Sequence, residues 1–129
     1  MTHDTAHMKA CLRAYVEAFN ASDAARVTGL FADNATVEDP VGTPIKRGRE
    51  EIEAFYGHAT KVGARLELIA PPRGSHANAA TITFKVHVAG PNGPAHIDVT
   101  DVMEFDAHGK IVSMRAYWGA DDYHPANAA

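Results

Sequence analysis

The chain has 129 residues, a size that fits one globular domain built around one core. Its formal net charge of −4 excludes a dominant phosphate-binding surface, because nucleic-acid binding needs concentrated lysine and arginine. A single cysteine, Cys11, excludes an intramolecular disulfide and fits a reducing compartment. With neither an export signal at the start nor a run of about 18 apolar residues, the sequence predicts a cytoplasmic protein with no membrane or nucleic-acid partner.

Three helices are predicted in the first half of the chain. Apolar residues at helical spacing predict the first helix over residues 5–20 and the third over about residues 49–60. Between them, Ser22 or Asp23 can cap a short second helix, whose helical spacing of apolar residues continues to Phe31.

Strands make up most of the remaining chain. Residues 35–39 alternate in polarity and meet Pro40, which predicts a short strand that stops at an edge or bend. Turn residues separate four further predicted strands of an antiparallel meander, at residues 64–73, 79–89, 95–105 and 111–119.

The element order predicts an α+β domain with helices on one face of a sheet. A strand over residues 95–105 would span about 36 Å at ~3.3 Å per residue, so we expect the sheet to bend around the helices and leave a concavity. We predict one domain over residues 1–129, with a frayed end from about residue 124.

Asp101 breaks the pattern of its strand, because alternation places it on the face that carries Val99 and Met103. An isolated carboxylate there would cost several kcal/mol, so it must be paired, hydrogen-bonded or kept protonated. Three interpretations stay open: an ion pair with an arginine such as Arg115, a register slip that brings Asp101 to the rim, or a neutral acid that donates a hydrogen bond in a site.

Three other residues can join Asp101 in a site. Asp39 lies at a strand end, where a carboxylate can point into a cavity or simply form a solvated Asp-Pro turn. Tyr15 and Tyr56 lie on apolar helix faces, and each taken singly fits a core aromatic residue. Taken together, the four supply a base and hydrogen-bond donors for an oxyanion.

Other reactive arrangements find little support. The eight histidines show no metal-ligand spacing, and the pair His3 and His7 falls where a helix end frays. The sequence has no glycine-rich phosphate loop and no dinucleotide fingerprint. We therefore expect neither a metal nor a cofactor.

Several segments together resemble the bacterial ketosteroid isomerases, and the resemblance covers nearly the whole chain. They are Ala35-Thr36-Val37-Glu38-Asp39-Pro40-Val41-Gly42, Ala54-Phe55-Tyr56, Asp101-Val102-Met103-Glu104-Phe105-Asp106 and Ala116-Tyr117-Trp118. The resemblance implies a cone-shaped fold of the nuclear transport factor 2-like superfamily. Three N-terminal helices would pack on a strongly curved, mixed, mostly antiparallel sheet.

Carried over residue by residue, the resemblance implies roles for the four candidate residues. Asp39 would be the general base, and Tyr15 and Asp101 would donate hydrogen bonds to the oxyanion. Tyr56 would hydrogen-bond to Tyr15 and support it.

The resemblance also implies a steroid pocket, with Phe55, Phe84 and Trp118 as substrate-binding residues and Trp118 near Asp39. It suggests a cis peptide bond before Pro40. One departure is Phe31, at a position where some members of the family carry a third tyrosine of the hydrogen-bond network.

The implied activity is a cofactor-independent isomerisation that moves the double bond of a 3-oxo-Δ5-steroid to Δ4. The partners implied are a small-molecule steroid and a second copy of the chain in a homodimer. Two alternatives are a dehydratase or cyclase of the same fold acting on a polyketide-like substrate and a noncatalytic lipophile-binding domain.

Overall fold

The computed structural model describes residues 4–126. Two of its three α-helices precede the first strand, and the third follows the second strand. They are α1, Thr5–Asn20; α2, Ala24–Thr28; and α3, Gly48–Lys61. The first two begin at aspartates whose carboxylates accept backbone N–H bonds: Asp4 from His7 at 3.2 Å and Asp23 from Arg26 at 3.1 Å. None of the helices among the described residues is both long and apolar enough to cross a membrane.

The strands form one mixed, curved and unclosed sheet. They are β1, Phe31–Glu38; β2, Lys46–Arg47; β3, Arg65–Leu68; β4, Ala79–Gly90; β5, Gly93–Phe105; β6, Ile111–Tyr117; and β7, Tyr123–Pro125. The order is β2-β1-β6-β5-β4-β3, and β7 adds to β5. Only β1 and β6 pair in parallel among these strands, which places the end of the chain's first strand beside the end of β6.

The core lies between the helices and one face of this sheet. α1 contributes its apolar stripe, including Met8, Leu12 and Phe19, and the long strands β4 and β5 contribute the residues that alternate toward the helices. The predicted α+β fold, with three helices on a mixed, mostly antiparallel curved sheet, is confirmed.

The predicted end of the second helix is wrong. α2 ends at Thr28 and is followed by Gly29, and Phe31 already belongs to β1, where it pairs with Ile111. Three apolar residues at helical spacing do not distinguish a helix from a buried strand start. The backbone N–H of Ile111 donates to the carbonyl of Leu30 at 2.9 Å, so pairing with β6 decides the conformation.

Several other boundaries differ from the prediction, among them the end of β6, at Tyr117 instead of residue 119. β3 stops at Leu68, and Pro71 and Pro72 follow, neither of which can donate a ladder hydrogen bond. The prediction of a frayed end from residue 124 is wrong for His124 and Pro125, because both belong to β7, which pairs with β5. Residues 127–129 of that predicted tail lie outside the described residues.

Candidate active site

A pocket opens between the helices and the concave face of the sheet. Its lining is mostly apolar and comprises Tyr15, Phe19, Asp39, Phe55, Tyr56, Ala59, Val62, Ala64, Leu66, Phe84, Val86, Ile97, Val99, Asp101 and Trp118. All seven site residues predicted from the sequence are among them. The polar groups are few, and all come from those seven.

Tyr15 and Tyr56 form a buried hydroxyl pair. α1 and α3 carry these residues on the faces that pack on the sheet, and the two hydroxyl oxygens lie 2.8 Å apart. Their rings meet edge to face with centroids 5.7 Å apart. Burial is the main reason that the pKa of both hydroxyls lies well above the usual value. Both hydroxyls therefore stay protonated and able to donate.

Phe31 bounds the tyrosine pair. Its ring centroid lies 5.6 Å from that of Tyr56 and 6.5 Å from that of Tyr15. A phenyl ring has no hydroxyl, so it packs against the pair without extending the hydrogen-bond chain. The strand conformation, which was not predicted for Phe31, therefore places its ring in the core beside the tyrosine pair.

Asp101 lies on the inner face of β5 and is 1% exposed. Its Oδ1 has no hydrogen-bond partner among the described residues. It pairs in register with Ile82 and Ala116, and Arg115 instead contacts Glu38, so neither the ion pair nor the register slip explains it. Burial and the nearby carboxylate of Asp39 raise the pKa of Asp101 well above the usual value, which favours a neutral acid.

A neutral Asp101 makes the stability of the protein depend on pH. Its pKa is higher in the folded state than the unfolded value near 3.9, so its contribution is complete below that value and is lost as pH rises toward the folded pKa. Asp101→Asn removes this titration. Above about pH 5, we expect the free energy of unfolding of the variant, relative to that of the wild type, to increase by about 1.4 kcal/mol per pH unit.

Urea unfolding of both proteins across that range measures the difference. Asp33→Asn makes the same change at a carboxylate whose side chain is 90% exposed and serves as the control for the substitution itself. Parallel stability curves for wild type and Asp101→Asn would show that Asp101 is ionised in the folded protein.

Asp39 follows the last residue of β1 and is half-buried at the pocket wall. The indole N–H of Trp118, just after β6, donates to its Oδ1 at 3.0 Å. Burial raises the pKa of Asp39, and the Trp118 hydrogen bond and the charge of Lys46 partly offset that rise. Asp39 is therefore the more readily ionised of the two pocket aspartates, which suits a base.

Two hydrogen bonds from backbone N–H groups hold the turn after Asp39 in place. The backbone N–H of Gly42 donates to Glu38 Oε2 at 2.9 Å, and that of Val41 donates to the carbonyl of Ala116 at 2.8 Å. Gly42 has φ +102°, a left-handed conformation that glycine adopts readily. The Asp39-Pro40 peptide bond is cis. The turn thus fixes the backbone of Asp39 against β6.

Lys46 and several apolar wall residues were missed by the sequence analysis. Lys46 lies on β2 opposite Val37 of β1, and its Nζ is 5.3 Å from the ring centroid of Phe55. A single lysine in a two-residue strand gives no sequence signal of this placement. Phe19, Leu66 and Ile97 fit their core patterns, so only the curvature of the sheet shows that they face a pocket.

Chemically, the site combines one carboxylate fit to accept a proton with donors that remain neutral. Asp39 lies at one wall, and Tyr15 and Asp101 lie in the apolar interior of the same pocket. Donors held in a water-poor site stabilise developing negative charge more strongly than they would in water. This arrangement suits abstraction of a proton next to a carbonyl group.

Known proteins resemble this chain over most of its length. The family model for the SnoaL-like domain matches residues 12–114. The steroid Delta-isomerase of Nocardioides simplex is 37% identical over 118 residues, which cover 92% of this chain and 94% of that protein. The epoxide hydrolase LasB of Streptomyces lasalocidi is 32% identical over 113 residues, which cover 84% of this chain but 40% of that longer protein.

A solved structure extends the likeness to the fold. The epoxide hydrolase/cyclase-like enzyme SalBIII, with a role in pyran ring formation in the polyether salinomycin, superposes with a TM-score of 0.82 at 26% identity. The match covers 94% of this chain and 97% of that one. The chain therefore belongs to the SnoaL-like family of NTF2-like proteins.

Proposed function

We propose that the protein is a steroid Δ-isomerase that converts 3-oxo-Δ5-steroids to their Δ4 isomers. The observation that carries this proposal is one apolar pocket that holds a half-buried carboxylate, Asp39, together with a buried neutral acid and a tyrosine. The identity with a steroid Delta-isomerase over nearly the full length of both chains supports it.

In the proposed mechanism, Asp39 removes a proton from carbon 4 of the steroid. The electrons move toward the ketone, and the dienolate oxygen accepts hydrogen bonds from Tyr15 and protonated Asp101. Asp39 then returns the proton to carbon 6, which completes the shift of the double bond. One carboxylate acts first as base and then as acid, so the reaction needs no cofactor.

The electrostatics of the pocket support this division of roles. Asp101 and the two tyrosines stay neutral in the apolar interior, so they can donate to a negative oxygen without first losing a proton. Tyr56 hydrogen-bonds to Tyr15 and so orients its hydroxyl. Phe55, Phe84 and Trp118 give the flat apolar steroid a wall to pack against.

Ultraviolet absorbance during incubation with a 3-oxo-Δ5-steroid tests the proposal, because the conjugated enone product absorbs where the substrate does not. Growth of the enone band at a rate proportional to protein concentration supports the isomerase. A steroid that binds without any change in absorbance would favour a lipophile-binding role instead.

The pH dependence of kcat/KM should report the ionisation of Asp39. The base must be charged, so activity should rise with pH through its pKa in the free enzyme. Trp118→Phe removes the hydrogen bond that lowers this pKa, and we expect the acid limb of the profile to move to higher pH.

Tyr117→Phe changes an adjacent residue that is 43% exposed and should leave the acid limb in place. A Trp118→Phe profile that overlies that of the wild type, or moves to lower pH, would contradict the role given to Asp39 as the titrating base.

A second candidate function is an epoxide hydrolase or cyclase, favoured by the likeness to LasB and SalBIII. A neutral acid and a carboxylate facing one pocket could also protonate an epoxide oxygen and activate a nucleophile. Mass spectrometry after incubation with a polyether-type epoxide separates the two: ring opening without steroid isomerisation would favour this candidate.

We also propose that the protein is a cytoplasmic homodimer. The open sheet leaves an outer face and edge strands that a second copy could cover. Light scattering from the purified protein measures the mass, and a value of one chain would contradict the dimer.

A further inference from the structure

A second group of chemically reactive side chains lies outside the pocket, where β7 adds to β5. His96 and His124 are direct cross-strand partners, and Asp98 is two residues along β5 from His96. Alternation along a strand places residues two apart on the same face, so the three side chains share one surface. Ile97, between them, lines the pocket on the opposite face.

Both imidazoles turn the same nitrogen toward one carboxylate. The Nε2 of His96 lies 3.5 Å from Asp98 Oδ1, and the Nε2 of His124 lies 3.1 Å from Asp98 Oδ2. All three candidate ligand atoms lie within 4.8 Å of one another. The two rings are tilted by 38° with centroids 5.0 Å apart, and their nitrogens face the two oxygens of the Asp98 carboxylate.

The two nitrogen–oxygen separations lie close to the spacing of ligands around a small tetrahedral ion, and the two imidazole nitrogens lie within 4.8 Å of each other. Zinc bonds to imidazole nitrogen and carboxylate oxygen at about 2.0–2.2 Å, which places neighbouring ligand atoms about 3.3–3.5 Å apart. Two imidazoles and a carboxylate suit zinc and its first-row neighbours, whereas calcium and magnesium prefer oxygen ligands. The side chains are 29%, 47% and 46% exposed for His96, Asp98 and His124, which leaves room for a water molecule as fourth ligand.

We propose that His96, Asp98 and His124 bind one divalent transition-metal ion of the zinc class per chain. The nearby His87 is not a fourth ligand, because its Nε2 is 2.8 Å from the carboxylate of Glu67. The bound ion joins β7 to β5 through side chains, in addition to their backbone pairing. It therefore stabilises the last strand of the sheet.

The sequence analysis missed this cluster for a definite reason. His96 and Asp98 alone give only an alternating polar strand face, and the third member belongs to a segment predicted to be frayed. Only the pairing of β7 with β5 brings His124 to the other two.

Isothermal titration of the full-length, chelator-treated protein with zinc sulfate tests the proposal. We expect one ion per chain, and at least a tenfold loss of affinity in both His124→Ala and Asp98→Asn, since even the loss of an outer-shell partner of a metal site costs about 10–100-fold. His108→Ala, at an exposed histidine elsewhere on the chain, should bind like the wild type. Magnesium sulfate should give no comparable binding.

Thermal unfolding gives a second measurement that does not depend on activity. Zinc should raise the Tm of the wild type and of His108→Ala, but should not raise that of His124→Ala. Far-ultraviolet circular dichroism checks that each variant is folded. Two results would overturn the proposal and reduce the cluster to imidazole–carboxylate hydrogen bonds. One is that the wild type binds no zinc. The other is that zinc binding is unchanged in His124→Ala and Asp98→Asn and is abolished in His7→Ala.

Discussion

Asp39→Asn is expected to lower kcat on a 3-oxo-Δ5-steroid by about 10²- to 10⁴-fold, the usual contribution of a positioned general base. An amide has nearly the same shape as the carboxylate but cannot take up the proton from carbon 4. The hydrogen bond from Trp118 can persist, because the amide oxygen still accepts it. The apolar wall is unchanged, so steroid binding should remain.

Two measurements separate loss of catalysis from loss of binding. The enone absorbance gives kcat, and the fluorescence of Trp118, the only tryptophan in the chain, reports occupancy of the pocket that it lines. Asp33→Asn is the matched control, since it makes the same change at an exposed carboxylate of β1, the strand that Asp39 follows. Turnover by Asp39→Asn within a few fold of the wild type would assign the base to another group.

Tyr15→Phe is expected to lower kcat by about 10²- to 10³-fold, the usual cost of removing one donor from an oxyanion site. The phenyl ring keeps the packing of Tyr15 against Tyr56 and Phe31 but leaves the dienolate oxygen without one hydrogen bond. Because that bond strengthens as charge develops, kcat should fall more than KM rises.

Two substitutions of Asp101 test the second donor, and they should lower kcat by different amounts. Asp101→Ala removes the donor and should lower kcat by about 10²- to 10³-fold, whereas Asp101→Asn keeps an N–H group and should retain more activity. Tyr117→Phe, at an exposed tyrosine on β6, controls for the loss of a phenol hydroxyl. Full activity in both Tyr15→Phe and Asp101→Ala would contradict the oxyanion site.

Much of the fold could be predicted from the sequence where a strong periodic pattern ends at a capping or turn residue. α1 begins after the capping Asp4 and ends at Asn20, as predicted. The hairpin of β4 and β5 follows from two long alternating strands joined through Pro91 and Asn92. The end of α2 could not be predicted, since the conformation of Phe31 depends on pairing with a strand far along the chain.

The sequence predicts which residues form the site, but not all of the charges that act on them. A carboxylate on an apolar strand face signals an unusual environment, and the structure shows Asp101 buried without an ion pair among the described residues. The charge of Lys46 near Asp39 has no such signal, because a lysine beside a turn fits a solvated surface equally well. Nor could the sequence show that Arg115 contacts Glu38.

The parallel pairing of β1 with β6 has a kinetic consequence for how the site is assembled. Asp39 and its partner Trp118 are 79 residues apart in the chain, so their contact requires closure of a loop that costs about 4 kcal/mol in entropy. Contacts of such long range form slowly, and only the surrounding sheet compensates for that closure. Asp39 therefore reaches this position only when the chain has been synthesised through Trp118 and β6 has joined β1.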